Sequence, residues 1–243
     1  AFDEKSKYFF IPGDSAQMTY VIRNLESKGI LKSTALFEWL AGRTNYAAKV
    51  KAGRYKIQKG MSQPEVLRLL INGTQDPVNL VINKFRTKED FARFAGRQLE
   101  CDSTEIIHFL KSQDSLRKFG LDTNTAMTII IPNTYTLFWN TSAAKLFKRL
   151  DSEKENFWNA ERLKKAGQLG LSSEEVYSLA SIVEEETNKN DEKPIIASVY
   201  LNRLQKGMTL SADPTVKFAL RDFALKRIRF KHIDAASMSP YNT

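Results

Sequence analysis

Leu179-Ala180-Ser181-Ile182-Val183-Glu184-Glu185-Glu186-Thr187 begins as an apolar helix and ends in three consecutive carboxylates. The start of that helix is written just upstream. Ser172-Ser173-Glu174-Glu175 offers an N-cap serine with a glutamate three residues on, a pair that satisfies orphan amides in both directions. Val176, Leu179, Ala180 and Val183 then recur at helical spacing and define a buried stripe. At about 100° per residue, Glu185 falls opposite the stripe and should see water. Glu184 and Glu186 fall on its flanks, Glu186 nearer the apolar centre made by Leu179, Ile182 and Val183. A carboxyl group held against apolar surface loses hydration and its pKa rises, the condition for donating a proton near neutral pH. The competing reading is an acidic helix end in solvent.

Bulk properties narrow the classes. At 243 residues the chain exceeds a typical single domain, so one large or two unequal domains are expected, and 42% hydrophobic residues suffice for a core. The net charge of +9 is spread along the chain rather than gathered in a tail, which suits nucleic acid, an anionic membrane surface or an anionic polymer. Nucleic acid is disfavoured, because neither a recognition-helix signature nor the glycine-aromatic motif of an RNA-binding sheet is present. The lone Cys101 excludes an internal disulfide. No apolar run approaches the roughly 20 residues that span a bilayer, and no signal peptide is visible. The two histidines, His108 and His232, stand neither in HExxH nor in metal-ligand spacing with the cysteine. Glycine-rich phosphate loops and a GxSxG elbow are missing too. No metal and no cofactor is therefore expected, and a carboxylate acid/base site is what remains.

The periodicity predicts an α+β chain. Tyr8-Phe9-Phe10-Ile11 reads as a strand closed by Pro12-Gly13. A helix through Met18, Val21, Ile22 and Leu25 follows, and a second from about Ser33 to Gly42. Gly53-Arg54-Tyr55-Lys56-Ile57 reads as a strand, Ser62-Gln63-Pro64-Glu65 as a capping box opening the next helix, and Val78–Ile82 as a strand. Helices are predicted from Thr87 and from Asp102, a loop over 111–127, and an apolar strand over Thr128-Ile129-Ile130-Ile131 ended by Pro132. Phe138 and Trp139 could line a sugar groove or belong to the core. One charged amphipathic helix is predicted over 142–166, another from Pro194 through Tyr200 to Gly207, and a last with Asp213 as its cap.

Taken together these motifs resemble a known family. Leu179–Thr187, Ala52-Gly53-Arg54-Tyr55, Pro132-Asn133-Thr134-Tyr135, Ala197-Ser198-Val199-Tyr200-Leu201-Asn202-Arg203-Leu204, Gly207-Met208, Asp213-Pro214-Thr215-Val216 and Ser239-Pro240-Tyr241-Asn242-Thr243 follow, in order, the pattern of the YceG-like endolytic murein transglycosylases. The resemblance implies a small LysM-like α/β subdomain at 1–76 and a larger, helix-rich catalytic domain at 77–243 that continues past this chain. It implies an enzyme cutting the glycan strands of peptidoglycan between N-acetylmuramic acid and N-acetylglucosamine and leaving a 1,6-anhydromuramyl end. Glu186, the glutamate before the threonine, would be catalytic, with Glu184 as a possible second carboxylate. Asn202, Arg203, Asp213, Thr215, Tyr241 and Asn242 would bind sugar or shape the cleft. It further implies a single-pass anchor in the cytoplasmic (inner) membrane through an N-terminal helix absent from this chain, a catalytic domain on the periplasmic or extracytoplasmic side, and work beside peptidoglycan synthases (penicillin-binding proteins). The alternative is a noncatalytic peptidoglycan-binding module.

Overall fold

The chain opens on an antiparallel ribbon in the computed structural model, which describes residue 2, residues 4–239 and residue 241. Strand β1 (Ser6–Ile11) pairs with β2 (Gly53–Gln58) in the register Phe9↔Tyr55 and Ile11↔Gly53. Alternation carries Phe9, Ile11, Tyr55 and Ile57 to one buried face, as the pleat requires. Helices α1 (Met18–Ser27) and α2 (Ala35–Arg43) lie between the strands in sequence, and α3 (Gln63–Asn72) follows them. Val21, Leu25, Phe37, Val66 and Leu70 pack on that face. The Ser62–Glu65 capping box opens α3 as predicted, with Pro64 in its first turn and Gly73 left-handed at its end. At Gly53 the backbone lies at φ +148°, and a Cβ there would run into the Gln75 side chain. Arg54 next to it forms a 2.8 Å salt bridge with Asp76, and its guanidinium stacks 4.4 Å over the Tyr8 ring. The Ala-Gly-Arg-Tyr motif thus ties the ribbon to the chain that leaves α3.

A second ribbon pairs β3 (Val78–Ile82) with β4 (Asn133–Leu137), Leu80 opposite Tyr135. Between them run α4 (Lys88–Gly96), α5 (Ser103–Lys111) and the short α6 (Gln113–Arg117). Then come α7 (Ala143–Phe157), α8 (Ala160–Gln168), α9 (Ser173–Glu186), α10 (Lys193–Gln205), α11 (Asp213–Leu220) and α12 (Phe230–Ala236). The fold is α+β. It divides into two compact units: Ala1–Met127 with Ile131–Asp151, and Thr128–Ile130 with Ser152–Thr243. The 76/77 boundary falls inside the first unit, although the residues before it keep the hydrophobic cluster described above.

Three predicted elements differ. The strand expected over 128–131 is a 3₁₀ turn (Ala126–Ile129) running into irregular chain, and the strand begins after Pro132 instead. Ile129, Ile130 and Ile131 are all buried, so they lack the alternation of a ribbon with one wet face, whereas residues 134–137 have it. The single helix expected over 142–166 is broken, because the Asn159 side chain accepts from the Arg162 N–H at 3.0 Å and starts α8 afresh. The loop expected over 111–127 contains α6, capped by Ser112. Trp139 packs edge-on against Phe10 at 4.9 Å, the core alternative for that aromatic pair, while Phe138 is exposed.

Gly96 is the one helical glycine here whose neighbours forbid a side chain: a Cβ would sit 2.5 Å from the Ser103 nitrogen, where α5 begins. Gly96→Ala should force α4 and α5 apart and lower stability by about 1–3 kcal/mol, read by urea unfolding.

Candidate active site

Helix α9 starts as its sequence dictates. The Ser172 hydroxyl accepts from the Glu175 N–H at 3.2 Å, and the Glu175 carboxylate accepts from the Ser172 N–H at 2.7 Å. Those bonds hold the Glu175 carboxyl below its usual range. Of the predicted stripe, Val176 is half-buried and Ala180 is exposed, while Leu179 and Val183 are buried in a cluster with Tyr200, Leu210 and Ala212. At about 25 cal/mol per Å², each such side chain contributes roughly 1.5–3 kcal/mol. Tyr177 donates to the Ile130 carbonyl at 3.0 Å, and burial pushes its phenol up to about 12. That bond explains why residues 128–130 belong with the second unit.

At the other end of α9 the expected environment of Glu186 is corrected. Its side chain is exposed rather than held against apolar surface. The buried stripe ends at Val183, and Thr187 leaves the helix extended (φ −146°, ψ 144°), so no further turn covers the carboxyl. Glu185, expected in water, is half-buried. What holds Glu186 is a hydrogen bond: the Tyr200 hydroxyl donates to Oε1 at 2.6 Å. Tyr200 is 6% exposed. Burial pushes its phenol well above the ordinary value, with the bond to Glu186 and the charges of Glu186 and Asp213 adding to the effect and Arg203 opposing it. The phenol is therefore a neutral, permanent donor.

The other candidate residues sort by geometry. Glu184 pairs with Lys193 at 2.6 Å. Thr187 donates to Glu192 at 2.7 Å, and Lys189 binds the second oxygen of the same carboxylate, which is held below its usual range by both bonds. Arg203, half-buried, donates to the Leu210 carbonyl and so fixes the turn between α10 and α11. Asp213 was expected to cap α11. It is instead the first helical residue, with Ala212 in the cap position and its own side chain exposed. Thr215 is 7% exposed and gives its hydroxyl to the Ala212 carbonyl at 2.8 Å, so it belongs to the wall of the site. Asn202 is exposed and lies about 200° around α10 from Tyr200, on another face. Tyr241 meets Phe218 edge-on at 5.0 Å, and Asn242 lies outside the described residues. Glu186, Arg203 and Asp213 thus all lie within electrostatic reach of Tyr200.

Tyr200 was missing from the candidate set. It reads as one more inward apolar residue of α10. The available signal was chemical: a buried tyrosine needs an acceptor for its hydroxyl.

Glu186 at the end of α9 is thus a solvent-reachable carboxyl steadied by a neutral donor. A family model described as the YceG-like family matches residues 11–243, so this chain belongs to that family. It is 25% identical over 280 residues to the endolytic murein transglycosylase of Streptococcus pneumoniae serotype 2, covering 99% of this chain and 49% of that protein. The protein of the same name from Bacillus subtilis is 24% identical over 252 residues, covering 96% of this chain and 68% of the relative. The chain spans about half the length of the pneumococcal relatives it matches. A crystal structure of a yceG-like protein from Listeria monocytogenes has the same fold, with a TM-score of 0.59 at 21% identity over 98% of this chain and 82% of that one.

Lys154 and Glu174 form a 2.8 Å ion pair between α7 and α9, with side chains only 14% and 27% exposed. Partial burial pushes the Glu174 carboxyl up, but the bonds from Lys154 and Ser173 outweigh it and hold the group below its usual range. A depressed folded-state value contributes stability above the ordinary glutamate range, and that contribution is lost as pH falls through the folded value. Lys154→Met should cost about 1–2 kcal/mol at pH 7, and the difference from wild type should shrink in acid, as read by urea titrations across pH.

Proposed function

We propose that this protein is an endolytic peptidoglycan lytic transglycosylase. It cleaves the β-1,4 bond between N-acetylmuramic acid and N-acetylglucosamine and leaves a 1,6-anhydromuramyl end. Family membership and the names of the relatives support the class. The observation that carries the residue assignment is the Tyr200–Glu186 bond, which gives one carboxyl at the end of α9 a fixed position while leaving it open to a polymer. Glu184 is favoured less, because Lys193 engages it as an ion pair.

Protonated Glu186 gives its proton to the glycosidic oxygen as the bond to the muramyl C1 breaks through an oxocarbenium-like state. The carboxylate so formed takes the proton of the muramyl C6 hydroxyl while O6 bonds to C1. The nucleophile belongs to the substrate, so no water is consumed and no second carboxylate at hydrolase spacing is needed. In this reading Arg203, Asp213, Asn202, Tyr241 and Asn242 contact the sugar or its peptide, and Thr215 supports them. The net charge of +9 suits the lactyl and peptide carboxylates of the polymer. Residues 1–76 serve as a LysM-like glycan-holding part. No helix among the described residues is long and apolar enough to cross a membrane; the proposed anchor is a preceding helix, which would set the protein in the cytoplasmic membrane facing outward, beside the penicillin-binding synthases.

Purified protein incubated with glycan strands should release anhydromuramyl products by mass spectrometry, and Glu186→Gln should lower their rate by about 100-fold or more. Strands bound but never cut would return the chain to a noncatalytic binding module, and ordinary reducing ends would make it a hydrolase.

A further inference from the structure

We propose that Tyr200 is a positioning residue that decides which oxygen of Glu186 works. By donating to Oε1, it leaves Oε2 to carry the travelling proton and to recover it. The proposal rests on the reading of Glu186 as acid and base, and it adds a residue to which that reading gave no role.

The constraint comes from packing. The Tyr200 ring is locked among Leu179, Val183, Leu210 and Ala212, so its hydroxyl has a fixed place, and Glu186 Oε1 meets it at 2.6 Å. A carboxylic acid that already accepts a short bond at one oxygen holds its own proton on the other. Glu186 is the last residue of α9 and is exposed, and the bond from Tyr200 is what fixes the rotation of its carboxyl. Without Tyr200 the carboxyl would turn among rotamers, and the acidic O–H would face the glycosidic oxygen only part of the time.

Each proton transfer uses the bond differently. In the first, the Oε2–H bond breaks and its proton goes to the leaving oxygen, which keeps the electron pair of the broken C1–O bond. Glu186 becomes anionic, and the bond from Tyr200 turns from neutral to charge-assisted. In the second, Oε2 takes the proton of the C6 hydroxyl as O6 closes on C1, and the acid form is restored. A bond that strengthens as charge develops favours the transition state over the bound substrate, so its loss lowers kcat and leaves KM alone.

The test compares wild type, Tyr200→Phe, Tyr200→4-aminophenylalanine and Glu186→Gln, each assayed well below its melting point on glycan strands. Tyr200→Phe keeps the ring and the packing; kcat should fall about 5- to 20-fold with KM unchanged. The amino variant, which restores a donor at the same place, should recover part of that loss. Strand binding by Glu186→Gln should be the same with and without Tyr200→Phe. Wild-type kcat in Tyr200→Phe beside a dead Glu186→Gln would overturn the positioning role, as would failure of the amino variant to improve on phenylalanine, or weaker binding in the double variant. A fully active Glu186→Gln would instead overturn the acid assignment itself, so the two failures are told apart.

Discussion

A tyrosine hydroxyl taken out of water must find an acceptor, and at the junction of α9 and α10 that requirement falls on Glu186. Leaving the phenol unpaired would cost about 1–3 kcal/mol. Leu179, Val183, Leu210 and Ala212 enclose the ring, so the hydroxyl has little freedom to look elsewhere. Hydrophobic packing of two helices, which has no directional preference of its own, is converted into a directional constraint on a polar atom. The carboxyl gains position without losing its access to solvent. On the proposed function that combination is what the site needs, since a fully buried acid could not meet an internal bond of a long strand.

The carboxylates near the end of α9 show a division of labour. Lys193 engages Glu184, and Lys189 with Thr187 engages Glu192. Both have cationic partners, and the bonds to Glu192 hold its carboxyl below the usual range. Glu186 instead accepts from a neutral phenol, which orients an oxygen without adding a formal charge. On the proposed mechanism, a group that acts as an acid in one step and a base in the next is better served by such a partner than by an ammonium.

Much of this architecture was legible because its signals are local. The Ser172–Glu175 and Ser62–Glu65 boxes, Pro194 in the first turn of α10 and the alternation of β1 and β2 each act within a few residues, and each element lies where those signals place it. Where they failed, a competing interaction won. Ile129–Ile131 look like a strand by composition, but burial on every side removes the pleated alternation. Asn159 looks like a polar residue on a charged helix, but its side chain takes over the backbone and restarts the chain as α8. Helical periodicity set Glu186 toward the apolar stripe and Glu185 toward water, whereas Glu186 is exposed and Glu185 half-buried. It could not say that the helix stops there, leaving the carboxyl uncovered. Tyr200 stayed hidden for the same reason: its partner is 14 residues away, across a turn whose path only packing determines.

Helix α9 also breaks a rule that its own beginning obeys. Glu174 and Glu175 stand in the first turn, where the positive end of the helix dipole welcomes them. Glu184, Glu185 and Glu186 crowd the opposite end, and the last turn holds no basic residue. Each misplaced carboxylate costs about 0.3–1 kcal/mol at such a position, and one lysine in the last turn would relieve it. The compensation comes instead from outside the helix: Lys193 from the first turn of α10 answers Glu184, and the Tyr200 hydroxyl answers Glu186. A lysine in place of Glu184 would please the dipole but set two ammonium groups face to face. The helix therefore tolerates local strain that its neighbours are built to offset, which is the pattern left when a side chain is kept for its chemistry rather than for the stability of the segment that bears it.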